Sequence, residues 1–126
     1  MKRLLLIALL FTACKKSSSP NSGSKAQIKY EVKITNGIAW SGIYLDASDA
    51  ATLVQETSTN WTVAFTNEIS SARYIQIQVA SITPSDPASP VSAIATVYVN
   101  GAIVKTDTAA GYIGQFTPPF SQYLLQ

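Results

Sequence analysis

From residue 27 onward the chain alternates apolar and polar residues with a period of two. Ile28, Tyr30, Val32 and Ile34 interleave with Gln27, Lys29, Glu31, Lys33 and Thr35, the pattern of a strand with one packed face and one wet face. Asn36-Gly37 then supplies the residues of a tight turn. A second strand is predicted over 38–45, with Ile38, Trp40, Gly42 and Tyr44 on one side and Ala39, Ser41, Ile43 and Leu45 on the other. Neither side is polar, so the pattern leaves open which of them faces inward. Asp46 to Asp49 reads as a loop or the cap of a single helical turn. Short strands follow over 52–57 and 60–66, the latter with Trp61, Val63 and Phe65 on one face and Trp61 assigned to the core. In 73–82, Ile75, Ile77 and Val79 oppose Tyr74, Gln76, Gln78 and Ala80. Pro84, Pro87 and Pro90 make the next segment a loop, because each removes a donor and fixes φ. Val91, Ala93, Ala95, Val97 and Val99 share a face of the strand 91–100, and Asn100-Gly101 is the best hairpin turn in the chain, returning through 102–108. A last strand is placed at 112–117, ahead of Pro118-Pro119 and a short apolar tail.

Seven or so short strands with turns about every ten residues, and no helix-period segment in this stretch, predict an all-β fold, an antiparallel β-sandwich over 27–126. Barrel closure is the alternative. The residues before it follow different rules. Lys2 and Arg3 form a basic start, Leu4 to Phe11 are continuously apolar, and Thr12-Ala13 place small residues before Cys14. This is the form of an export signal, 1–13, and its apolar run falls far short of the ~20 residues that a spanning helix needs.

Phe11-Thr12-Ala13-Cys14 resembles a bacterial lipobox, and Cys14-Lys15-Lys16 followed by serines is similar to the start of many Bacteroidota lipoproteins. The resemblance implies cleavage between Ala13 and Cys14, a thioether-linked diacylglyceryl group on Cys14, an acylated new N-terminus and a place at the outer membrane. Phe11 stands where that family prefers Leu. Each buried methylene contributes roughly 0.8 kcal/mol, so several chains together anchor stably. Residues 14–26, rich in serine, contain too little apolar surface to offset the entropy of ordering and read as a flexible tether, with a root-mean-square reach of about 20 Å. Whether the domain hangs on the periplasmic or the surface face is left open.

Composition bears on chemistry. Of 126 residues 47% are apolar and only 13% charged, which fits one domain with a real core. The chain has no His and one Cys, which removes the commonest general base, the Ser-His-Asp triad, an intramolecular disulfide and a thiolate zinc site. No residue stands out as catalytic, and no cofactor is implied. The formal charge of +2 is a positive leader and tether, with Lys2, Arg3, Lys15, Lys16 and Lys25 and no acidic residue, offset by a mildly acidic body. From residue 26 onward Lys29, Lys33, Arg73 and Lys105 face Glu31, Asp46, Asp49, Glu56, Glu68, Asp86 and Asp107, and this acidic balance disfavours nucleic acid as a partner.

The body also resembles the small β-sandwich domains of the MmpS type, which are immunoglobulin-like in architecture. The resemblance rests on Tyr30-Glu31-Val32, on Trp61, on Val97-Tyr98-Val99-Asn100-Gly101 running into Ile103-Val104-Lys105, and on Gly111-Tyr112. It implies an accessory role beside membrane transport proteins, although a lipobox stands here in place of that group's transmembrane helix. Three further constellations are candidates. Asp46 and Asp49 could contribute to a calcium site or simply cap a turn. Trp40 and Tyr44, two apart on one strand face, could form a platform for sugar rings or be buried between sheets. Asp107-Thr108-Ala109 resembles the O-glycosylation signal of exported Bacteroidota proteins, implying a glycan on Thr108. Two function classes follow: a non-catalytic envelope lipoprotein that binds or scaffolds another protein or a transporter, and a module that captures a glycan or lipid. An apolar patch or an unprotected edge strand would favour the first, and exposed alternating aromatics the second.

Overall fold

A computed structural model describes residues 24–126. Cys14 and the segments read from the sequence as an export signal and, up to residue 23, as a tether lie outside the described residues. Eight strands follow one another: β1 (Ser24–Thr35), β2 (Gly37–Leu45), β3 (Ala51–Glu56), β4 (Asn60–Ile69), β5 (Arg73–Pro84), β6 (Val91–Val99), β7 (Ala102–Gly111) and β8 (Phe120–Leu125). They form two four-stranded antiparallel sheets, sheet A in the order β4-β1-β6-β7 and sheet B in the order β3-β2-β5-β8. The architecture is the β-sandwich that the alternation predicts, with eight strands where about seven were expected.

The period of two decides which residues meet between the sheets. Ala26, Ile28, Tyr30, Val32 and Ile34 of β1 and Val91, Ala93, Ala95 and Val97 of β6 form sheet A's buried face, against Ile75, Ile77, Val79 and Ile82 of β5 and Trp40 of β2. The small Ala93 and Ala95 sit beside larger neighbours, so the two faces interdigitate.

Four local readings are corrected. The first strand begins at Ser24, inside the residues assigned to the tether. β4 runs on to Ile69 and offers partners to Ser24, Lys25 and Ala26, and Ala26 is buried.

Asn36-Gly37 is not a hairpin turn, because β1 and β2 belong to different sheets. A type I′ turn needs positive φ at both central residues, and here Asn36 has φ 59 whereas Gly37 is not among the positive-φ glycines. Gly37 serves close approach instead, since a Cβ there would stand 2.5 Å from Ile34 Cγ2. Asn36 holds the proline-rich loop: its Nδ2 donates to the carbonyls of Asp86 (3.0 Å), Ser89 (3.1 Å) and Pro90 (3.2 Å).

Residues 112–117 form a loop rather than a strand. Gln115 N donates to Tyr112 O at 3.0 Å, Gly114 takes φ 97, and Tyr112 and Ile113 are exposed. The apolar tail is the strand β8, pairing with β5 from Arg73↔Leu125 to Gln78↔Phe120. Asn100-Gly101, by contrast, joins β6 to β7 with φ 50 and 82, the conformation that an Asn-Gly hairpin predicts.

Candidate functional site

Trp40 and Tyr44 do not make a surface platform. Trp40 is 4% exposed and Tyr44 is half-buried against the core. Gly42, between them, brings the Gln78 carbonyl of β5 so close that a Cβ would meet it at 2.5 Å, and β2 thereby turns this face inward. A run of aromatic contacts results. Trp40 meets Trp61 edge-on at 5.6 Å, Tyr44 meets Trp61 at 5.7 Å and Tyr30 at 5.7 Å, and Tyr30 meets Phe65 edge-on at 5.6 Å. Trp40 Nε1 donates to Ser58 O at 2.9 Å, and the Tyr30 hydroxyl to Leu45 O at 2.9 Å, so both polar tips are satisfied. Burial pushes the Tyr30 hydroxyl well above the usual tyrosine range. Trp61, assigned to the core, lies at its margin: with Tyr44, Val54 and Val63 it lines a cleft of about 350 Å³ between β3 and β4.

Asp46 and Asp49 act in the turn between β2 and β3. The Asp46 carboxylate accepts from Ser48 N (2.8 Å), Ser48 Oγ (2.7 Å), Ala50 N (3.1 Å) and Thr52 Oγ1 (3.2 Å). These donors, led by the Ser48 hydroxyl, hold its pKa below the ordinary aspartate value. Asp49, at φ 64, pairs with Arg73 at 2.6 Å, and Arg73 also donates to the carbonyls of Asp46 and Ala47. The two carboxylates are therefore engaged by different protein donors. Among the described residues no group of three or more His, Cys, Asp or Glu side chains is placed to hold a metal ion. Asn67 Nδ2 and Arg73 Nε, both beside this turn, are buried without a protein partner.

Thr108 is exposed on β7, on the outward side of sheet A in register with Ile94. Its neighbour Asp107 faces inward, accepting from Thr108 N at 3.1 Å and from Phe120 N at 2.8 Å.

The outer faces of the two sheets differ more than any single site. Sheet A carries Lys25, Lys29, Glu31 and Lys33 on β1 and Glu68 on β4, where Lys25 pairs with Glu68 at 3.6 Å and Lys33 with Glu31 at 3.2 Å. Lys29 also lies over the Tyr98 ring, 3.8 Å from its centroid. Sheet B has no charged side chain on its outer face. Its strands contain only Glu56 and Arg73, and these share the inward register of Trp40 and Leu125. The outer face presents Leu53 (63% exposed), Tyr74 (53%), Phe120 (41%) and Leu124 (36%) around Gln76, Gln78 and Gln122. Gln122 Nε2 donates to Gln76 Oε1 at 3.1 Å. This face escapes a reading by motif because none of its residues is reactive. Its signal in the sequence is the uncharged polar side of 73–82, where Tyr, Gln, Gln and Ala stand at positions that in β1 hold Lys and Glu. Among known proteins, no family model matches this chain and no curated protein matches it in sequence.

Proposed function

We propose that the protein is a non-catalytic envelope lipoprotein, tethered to the outer membrane through Cys14, that binds or scaffolds another envelope protein through the outer face of sheet B. The observation that carries the reading is that charge-free face with Leu53, Tyr74, Phe120 and Leu124 standing out of it. Exposed apolar side chains set among neutral polar groups, with no charge between them, have the character of an interaction patch. Four strands ~4.8 Å apart and ~20 Å long give a face of about 400 Å², roughly half of one partner's share in a standard interface. A contact of that size is weak in free solution and is strengthened when both partners are held at one membrane. The glycan or lipid module loses support with the inward turn of Trp40 and Tyr44, the residues from which it was argued. Thr108 is accessible to a glycan as its tripeptide implies, and Thr108→Ala would then lower the apparent mass of the exported protein.

The test places a photo-crosslinking residue at Tyr74 or, as a control on sheet A, at Lys29, in cells carrying the full chain. Tyr74 should give a discrete adduct with an envelope protein and Lys29 none. Cys14→Ala should abolish lipid labelling, release the protein from membranes and weaken the adduct. Equal adducts from both positions, or membrane retention of Cys14→Ala, would overturn the reading.

A further inference from the structure

A sheet edge with free N–H and C=O groups pairs with other strands unless something prevents it, and natural sheets guard their edges. Among the described residues three of the four edges are guarded. β3 and β8 have six residues each. β7 has a bulge opposite Val97 and Tyr98, its Asp107 points inward in register with Ala95, and its exposed Lys105 stands beside the bulge. β4 has none of these devices: it runs for ten residues (NWTVAFTNEI) without proline, in unbroken register with β1, and its one charge is Glu68.

The free groups of this edge can be named. Ile34 N donates to Thr59 O at 2.8 Å, so the odd-numbered residues of β4 turn their main-chain groups toward β1 and the even-numbered ones turn theirs outward. Asn60 is already occupied, since Ser58 Oγ donates to its carbonyl (2.9 Å) and accepts from its N–H (3.3 Å). Thr62, Ala64, Thr66 and Glu68 are left facing outward.

We propose that β4 pairs with β4 of a second copy of this chain, antiparallel about a twofold axis at Ala64, joining the two A sheets into one. This surface is independent of the sheet B face, and the proposal does not rest on that reading. Matching inner face to inner face restricts the register to steps of two, and charge selects among them. Centred on Ala64, Thr62 lies opposite Thr66 of the second copy, and Glu68 lies opposite Asn60, whose neighbour across β1 is Lys33. Centred on Phe65, Glu68 would lie opposite Thr62 and beside Glu31, an acidic clash. Centred on Val63, Glu68 would overhang the end of the partner strand. Only the Ala64 register pairs Thr with Thr and sets Glu68 toward a lysine. The half-buried Trp61, Val63 and Phe65 run along the same flank, and Val63 of the second copy would come to lie over Phe65.

Ala64 is exposed on the outer face, so a charge there is compatible with the monomer but meets its own kind across the axis. The detergent-solubilised full chain is followed by light scattering that separates protein mass from detergent mass, for wild type, Ala64→Lys, Ala64→Glu and their equimolar mixture. Wild type should pass from monomer to dimer with rising concentration. Each single variant should weaken the dimer at least tenfold, and the mixture should restore it. Tyr74→Lys, on the sheet B face, should leave it unchanged. A wild type monomeric at every concentration, or paired only with another polypeptide, overturns the proposal. So does a dimer that survives Ala64→Lys or dissociates with Tyr74→Lys, the latter assigning dimerisation to sheet B.

Discussion

The two flanks of the sandwich, where the sheets come together at their edges, are built in opposite ways. On the β7/β8 flank the closure is polar. Phe120 N donates to Asp107 Oδ2 at 2.8 Å, Val79 N to Pro119 O at 3.1 Å, and the fully buried Ser121 hydroxyl to Ala95 O at 2.6 Å. Each bond spans the two sheets or fastens the segment that leads into β8. On the β3/β4 flank the closure is mainly aromatic, the chain of ring contacts from Trp40 to Phe65, with the Trp40 indole bonded to Ser58 O and the Tyr30 hydroxyl to Leu45 O as its polar ties. Hydrogen bonds fix both partners in position and occupy an outward donor of β8, Phe120 N. Packed rings fill volume and leave the outward main-chain groups of β4 without a strand partner. The flank closed by apolar area is thus the one still able to accept a strand.

The comparison is sharpened first by Trp40→Ala. Removing a buried indole from the β3/β4 flank should cost about 3–5 kcal/mol, a large part of the ~5–15 kcal/mol of a typical domain, and should greatly lower the urea midpoint of the full chain in detergent. Asp107→Ala on the other flank should cost less, about 1–2 kcal/mol, because it removes hydrogen bonds to two backbone donors but creates no large cavity. Amide exchange at Phe120 should accelerate while Trp40 and Trp61 keep their native fluorescence. If Asp107→Ala were as destabilising as Trp40→Ala, the contrast between polar and aromatic closure would fail.

The aromatic flank also marks the limit of what alternation discloses. The strands β1, β5 and β6 were readable because apolar and polar residues strictly alternate, and a one-residue slip would exchange their faces. In β2 both faces are apolar, and the direction of Trp40 was settled by Gly42, whose missing side chain admits the Gln78 carbonyl, a constraint that depends on β5. β8 was missed because Tyr123-Leu124-Leu125 has no period of two and because inward-facing Ser121 is polar, its hydroxyl satisfied only by Ala95 of the opposite sheet. Asp46 and Asp49 were visible as turn residues, but Arg73, the partner that occupies Asp49, is remote in sequence. The charge-free face and the unguarded edge are properties of strand order, and no local motif encodes strand order.

The smallest expected effect concerns Tyr30, the one ring of the aromatic run whose hydroxyl is carried into the core. Tyr30→Phe keeps the ring contacts with Tyr44 and Phe65 and removes only the bond to Leu45 O, so at neutral pH it should cost about 1 kcal/mol. The pH dependence isolates the same group. Burial raises the folded-state pKa of Tyr30 above its ordinary value of 10.0, so below pH 10 both states keep the proton and the stability is complete. Above that value the unfolded chain ionises first, and stability falls as pH rises toward the folded pKa, by up to ~1.4 kcal/mol per pH unit for one group. Tyr98 on sheet A, also raised by partial burial and by Glu31, adds to the alkaline slope in the same direction. Urea midpoints of wild type and Tyr30→Phe should therefore differ modestly at pH 7 and converge or cross between pH 10 and 11.5. Parallel lines across that range would mean that the Tyr30 hydroxyl ionises freely in the folded protein, and that water reaches the β3/β4 flank as far as the core.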